Sequence, residues 1–236
     1  MSVPRPALPA PVTFHEEAGE GLAVRGTLHA PAGTASSGLV LTHGAGSTRD
    51  SPLLVALAEA LASRGVAVLR CDLPFRQTRP HGPPAPTGAP RDRAGLRAAV
   101  LALRRAGVSA VCLGGHSYGG RQTSVLAAED PSLVPAILLL SYPLHPPGRP
   151  ENRRVAHFPE LRVPALFVHG ADDPFGSVAE LQDALRLFPT PPTLHVEPGV
   201  GHDLGAARRA RGGVSDLATR IAERWLAVTP RPPAQT

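Results

Sequence analysis

Five short runs, Gly38–Thr42, Val66–Arg70, Ala110–Leu113, Ala136–Leu140 and Pro164–Val168, are almost continuously apolar. A strand with one face in water alternates polar and apolar residues, so such runs read as strands covered on both faces. Most are separated by enough chain for a crossover helix, the connection that parallel neighbours require. Helices are predicted in those gaps. Asp50-Ser-Pro52 precedes a Leu53, Leu54, Leu57, Leu61 stripe that stops at Gly65, with proline at the first turn where its missing N–H costs nothing. Arg91–Arg105, Arg121–Ala128, Ser177–Leu187 and Val214–Val228 repeat the scheme. Val12–Glu17 and Leu22–Ala30 flank Ala18-Gly-Glu-Gly21 and predict an antiparallel hairpin ahead of the parallel part. The expectation is an α/β fold: about eight mostly parallel strands, an antiparallel N-terminal edge and helices on both faces.

The 236 residues fit one such domain, over 12–228, with 1–11 and 229–236 as flexible Pro-rich ends. Leu73–Pro90 and Tyr142–Pro159 are dense in proline; the first is expected to hold neither helix nor central strand. Both follow strands, which places them at the carboxyl edge of the sheet, where open α/β sheets bind ligands. No apolar stretch approaches the ~18 residues of a membrane span, and the N-terminus lacks the apolar core of a secretory signal. A cytoplasmic protein is expected. All 24 basic residues are arginine, and the net charge of +5 allows weak attraction to polyanions. The arginines are scattered and aromatics are 4% of the chain, so no nucleic-acid partner is expected. Cys71 and Cys112 lack zinc or redox spacing. In the usual winding one strand separates them, too far for a disulfide.

Gly115-His-Ser-Tyr-Gly119 follows the 110–113 strand and precedes a helical run. A strand turning sharply into a helix strains its apex residue and leaves room only for small residues two places before and after. Ser117 is therefore the candidate nucleophile, its hydroxyl raised above the sheet, with the Tyr118 amide aimed where an oxyanion is favoured. A base and an orienting acid must come from loops after later strands, in the order Ser, Asp, His. Gly170-Ala-Asp-Asp-Pro174 follows the Ala165–Val168 strand and Gly201-His-Asp203 follows a strand predicted over Thr193–Val196. Asp173 and His202 are the candidates, with Asp172 as the alternative acid or a cap for the Ser177 helix. The second oxyanion donor is assigned to the Ala45 amide in Thr42-His-Gly-Ala-Gly-Ser47. Substrate-contact candidates are His43, Gly44, His116, Arg76 and His145. His43 also reads as a ring holding its loop, and Arg76, with Arg79 and Arg149, as solvated loop charge or a lure for an acidic substrate.

His43-Gly-Ala-Gly46, Leu69-Arg-Cys-Asp-Leu-Pro-Phe75, Gly114-Gly-His-Ser-Tyr-Gly-Gly-Arg121, Tyr142-Pro-Leu-His-Pro-Pro-Gly148, Asp173-Pro-Phe-Gly176 and Gly201-His-Asp203 together resemble the α/β-hydrolase superfamily. More narrowly, they resemble the small dienelactone-hydrolase-like group that includes testis-expressed protein thirty and the hydrolase-like domain of a histone-acetyltransferase complex subunit. The resemblance runs from about Gly21 to Trp225. It implies an α/β-hydrolase fold with a minimal lid and a triad of Ser117, Asp173 and His202. The resemblance gives a mechanism class only, with ester, thioester and small amide substrates open; the leading expectation is hydrolysis of a small carboxylic ester through an acyl-enzyme, with no metal or organic cofactor. The elbow departs from the group, which often has Lys-Ser-Met where this chain has His116-Ser-Tyr118. Dienelactone hydrolases use cysteine where this chain has Ser117, which argues against their substrate. Two other readings remain open: a catalytically idle hydrolase fold serving as an interaction module, and a small amidase or exopeptidase. Substrate and oligomeric state are not written in the sequence.

Overall fold

The structure is a computed structural model that describes residues 7–204 and 213–229; the sequence expectations for 1–6 and 230–236 lie outside the described residues. In chain order the elements are β1 (Val12–Gly19), β2 (Leu22–His29), β3 (Ser37–Thr42), α1 (Pro52–Ala62), β4 (Val66–Cys71), α2 (Pro74–Thr78), α3 (Ala89–Arg105), β5 (Ala110–His116), α4 (Tyr118–Glu129), β6 (Ile137–Leu140), β7 (Ala165–Gly170), α5 (Val178–Leu185), β8 (Thr193–Glu197) and α6 (Gly213–Val228). The eight strands form one sheet in the order β1-β2-β4-β3-β5-β6-β7-β8. β2 is antiparallel to both β1 and β4, and the six strands from β4 to β8 are parallel, as the hairpin signal and the apolar runs predict.

The apolar runs separate by alternation onto two faces. Val40, Leu69, Leu139 and Phe167 pack against Leu96 and Leu103 of α3, Leu126 of α4 and Leu181 of α5. Their chain neighbours Leu39, Leu41, Val68, Leu138 and Val168 pack against Leu54, Leu57 and Leu61 of α1 and Ile221 and Trp225 of α6. Thus each strand feeds two cores at once, which is why its sequence shows no polar face. The two thiols are free and buried. Cys71 lies opposite Thr42 and Cys112 opposite Leu39 on the intervening β3, which puts them about 10 Å apart across the sheet and about 10 Å along it. Burial pushes both thiols up to about 12.

One expectation needs correcting. The Leu73–Pro90 segment does contain helix, the short α2 and a 3-10 turn at Pro86–Gly88, and α3 starts at Ala89. Proline punctuates these pieces without forbidding them. Pro74 occupies the first turn of α2, where no backbone partner is lost, and the Phe75 amide donates to Asp92 Oδ1 at 3.0 Å. At α5, Ser177 is the cap, in a reciprocal capping box with Glu180, so Asp172 has no capping role there. Among the described residues, no helix is long and apolar enough to cross a membrane.

Candidate active site

Because the strands from β3 to β8 run the same way, the segments after them emerge at one edge, and Ser117, Asp173 and His202 stand just after β5, β7 and β8. The turn from β5 into α4 is the sharpest. Ser117 stands at its apex with φ 50° and ψ −116°, a left-handed backbone that a serine adopts only where its surroundings over-determine it. Its amide donates to Leu140 O on β6 at 2.8 Å. A Cβ at Gly115 would lie 2.5 Å from Gly119 C, and one at Gly119 would lie 2.5 Å from His43 O. Only glycine fits at either position, as the elbow reading requires.

His202 Nε2 lies 2.7 Å from Ser117 Oγ, and His202 Nδ1 lies 2.8 and 3.0 Å from the two oxygens of Asp173. Since the carboxylate only accepts, Nδ1 carries the proton and Nε2 presents a lone pair to the hydroxyl. Asp173 is buried, and its Oδ1 also accepts from the Phe175 amide at 2.8 Å. Asp172 is exposed, and its amide donates to Val200 O, which ties the two loops together. The loops approach so closely that a Cβ on Gly170 would lie 2.4 Å from both Val200 O and Gly201 O. The imidazole is held from three sides. Phe175 stacks on it with ring centroids 4.0 Å apart, His116 Nε2 donates to the His202 carbonyl at 2.8 Å, and Asp173 takes its Nδ1 proton. Burial lowers His116 to about 4, so it serves as a neutral donor.

Opposite the elbow, the 43–47 turn brings Gly44 against the serine: a Cβ there would lie 3.3 Å from Ser117 Cβ. Ala45 and Tyr118 both line the cleft above the serine. The Tyr118 ring meets Phe75 edge to face, and its hydroxyl donates to Asp92 Oδ2 at 2.7 Å, which fixes the first residue of α4 against α2.

Of the substrate-contact candidates, the structure places Gly44 and His116 on the cleft and the other three elsewhere. His43 is fully buried under the turn. Its Nδ1 donates to Gly44 O at 2.9 Å and its Nε2 accepts from the Leu73 amide at 3.2 Å, so it staples the 43–47 turn to the chain after β4. Arg76 is buried too, and its guanidinium is consumed by the carbonyls of Ala45, Ser47, Arg79, Pro80 and Gly82. His145 faces away: Nδ1 donates to Pro146 O, and Nε2 lies 3.6 Å from Glu180 at the start of α5. Two basic cleft residues, Arg121 and Arg154, escaped the sequence reading, as did Pro143, Phe175 and Asp203. Arg121 had a readable signal, since it stands four residues after Ser117 on the same helix face. Arg154 had none, because the path of its loop is not encoded in local pattern. The cleft itself encloses about 470 Å³ beside Ser117, with Pro143 and Phe175 as apolar wall.

A strand–serine–helix elbow, with histidine and aspartate arriving from the last two strands, defines a class of fold and site, and comparison with known proteins agrees on the fold. The chain belongs to the alpha/beta hydrolase domain family, whose model matches residues 35–229. Its fold is similar to the dienelactone hydrolase of Anabaena variabilis, with 25% identity, TM-score 0.73 and coverage of 94% of this chain and 99% of that one. Est1E from Butyrivibrio proteoclasticus is similar at 18% identity and TM-score 0.71, covering 91% of this chain and 98% of that one. A serine hydrolase without a lid from Xanthomonas campestris is similar at 17% identity and TM-score 0.66, covering 97% of this chain and all of that one (100%). Family and neighbours support hydrolase activity.

Proposed function

We propose that the protein is a cytoplasmic serine hydrolase that cleaves small carboxylic esters through an acyl-enzyme. The observation that carries this is the continuous hydrogen-bond chain from Ser117 Oγ through the His202 ring to Asp173, with 2.7 and 2.8 Å links. His202 Nε2 takes the hydroxyl proton as Ser117 Oγ bonds to the ester carbon, and Asp173 stabilises the imidazolium. The carbonyl oxygen becomes an oxyanion that the amides of Ala45 and Tyr118 receive, each such donor being worth roughly 3 kcal/mol. Collapse breaks the bond to the alcohol oxygen, which leaves with the proton from His202. Water then repeats the sequence on the acyl-enzyme, giving up a proton to His202 and releasing the acid and Ser117. The open cleft suits a small substrate.

A fluorophosphonate probe tests the nucleophile. The folded protein is expected to label at Ser117 and to hydrolyse 4-nitrophenyl esters. Ser117→Ala should abolish labelling and lower turnover by about 10⁴-fold or more. Absence of labelling in folded protein would remove the proposal.

A further inference from the structure

Arginine supplies every strongly basic side chain here, and most of those inside the fold have a partner. Arg49, Arg93, Arg97 and Arg153 meet carboxylates, while Arg76 and Arg104 donate to backbone carbonyls. The two on the cleft wall differ. Arg121 Nε is buried with no hydrogen-bond partner, and Arg154 gives only one N–H, from Nη1, to Pro143 O at 3.2 Å. Among the described residues neither forms an ion pair, and the one acidic residue lining the cleft, Asp203, pairs with neither.

Burial and then the Arg121 guanidinium lower Arg154 from the usual arginine range, and His157 is brought down to about 4 by burial, Arg121 and Arg93, so it stays neutral beside them. Two guanidinium groups held together without an anion repel each other, and a buried N–H without an acceptor forfeits its hydration. A bound anion relieves both costs. Position ties this to the reacting group: the Arg121 amide donates to Ser117 O at 2.9 Å, one helical turn from the nucleophile.

We propose that Arg121 and Arg154 form an anion subsite and that the preferred substrate is an ester bearing a carboxylate. The reacting bond rests on the serine-hydrolase reading above; the subsite does not. Guanidinium groups suit the task because their forked donors match the two oxygens of a carboxylate.

The test has a binding arm and a kinetic arm. Ser117→Ala protein is titrated calorimetrically with monomethyl glutarate and with methyl valerate, its neutral counterpart. Tighter binding of the charged ester by roughly tenfold, weakened by added salt and lost in Ser117→Ala/Arg121→Gln, is expected. Equal binding of the two esters, or a preference that survives both Arg121→Gln and Arg154→Gln, overturns the subsite whether or not the protein is an esterase. The kinetic arm compares kcat/KM for the 4-nitrophenyl half-ester of glutarate with 4-nitrophenyl valerate, and for 4-acetoxybenzoate with 4-acetylphenyl acetate. These place the anion on the acyl and the leaving-group side. A charged-to-neutral ratio of roughly ten or more in one series, falling toward one in Arg121→Gln and unchanged in Arg162→Gln on the exposed surface, supports the proposal. Ratios near or below one in both series overturn it. Turnover absent from all four esters, together with no fluorophosphonate labelling, would instead defeat the esterase reading, and the binding arm alone would then decide the subsite.

Discussion

The loops after β4 and β6 start from nearly the same material and finish differently. Leu73–Pro90 and Tyr142–Pro159 each follow a parallel strand at the same edge of the sheet, and each is rich in proline and arginine. In the first, a guanidinium becomes an internal scaffold: Arg76 gathers carbonyls from its own loop and from the 43–47 turn, and lies 4.9 Å from the Phe75 ring centroid. In the second, Arg154 keeps most of its donors free and faces the cleft. An arginine's role is thus set by whether the surrounding backbone has carbonyls left over. A loop that coils on itself has them and spends the charge on structure. A loop whose turns already use its carbonyls, as Pro146 O accepts from the Arg149 amide and Leu144 O from the Arg154 amide, leaves the charge for a ligand.

The most severe way to break this comparison is to exchange the two charges for methionine in turn. Arg76→Met should leave several carbonyls without a donor and lower stability by about 3 kcal/mol or more in urea unfolding, because charge-assisted bonds are worth ~1.5–3 kcal/mol each. It should also lower turnover of every ester, charged or neutral, since the Ala45 carbonyl it holds belongs to the turn facing Ser117. Arg154→Met should change stability by no more than about 0.5 kcal/mol. If both variants destabilise equally, the distinction between scaffold and subsite fails.

A smaller effect sharpens the contrast through pH. His157 in the second loop, like His29 in β2 and His116 at the elbow, is held to about 4. In the unfolded chain these groups titrate near 6.5. Between about 6.5 and 4 the unfolded state therefore binds protons that the native state refuses. Stability is full above that window and is lost as pH falls through it. His157→Gln should reduce the slope by up to ~1.4 kcal/mol per pH unit, one proton's worth, measured by urea unfolding at pH 7, 6 and 5. A slope unchanged by the substitution would mean that His157 takes up its proton in the folded chain as readily as in the unfolded one.

What was legible follows the same division. The sheet could be read because apolar runs covered on both faces leave no other option, and the elbow because Gly115 and Gly119 sit where no Cβ fits. Asp173 and His202 were legible as positions after strands, since topology alone brings those loops together. Arg76 was misplaced and Arg154 missed for one reason. Both depend on how a proline-rich segment runs between its ends, and proline fixes a local angle without fixing the path. His43 shows the intermediate case: motif position located it in the oxyanion turn, but only the fold revealed that both ring nitrogens are taken, by Gly44 O and the Leu73 amide.

Asp92 joins the first loop to the elbow and gives the finest test. Its two oxygens accept from the Phe75 amide at 3.0 Å and the Tyr118 hydroxyl at 2.7 Å, while burial raises its carboxyl above the usual range. Asparagine can keep both contacts, its oxygen accepting from Phe75 and its amide donating to Tyr118, whose hydroxyl turns to accept. The charge that burial penalises is then gone. In the native protein the folded state holds this proton longer than the unfolded state does, so the residue's contribution falls as pH rises from about 4 toward the raised value. Asp92→Asn should therefore lie within about 0.5 kcal/mol of the parent at pH 7 and erase that decline, whereas Asp92→Ala, which strands both donors, should lose about 1–3 kcal/mol. If asparagine costs as much as alanine, the bond between α2 and α4 depends on the negative charge itself, and the first loop is held by ion-dipole attraction instead of by matched donors and acceptors.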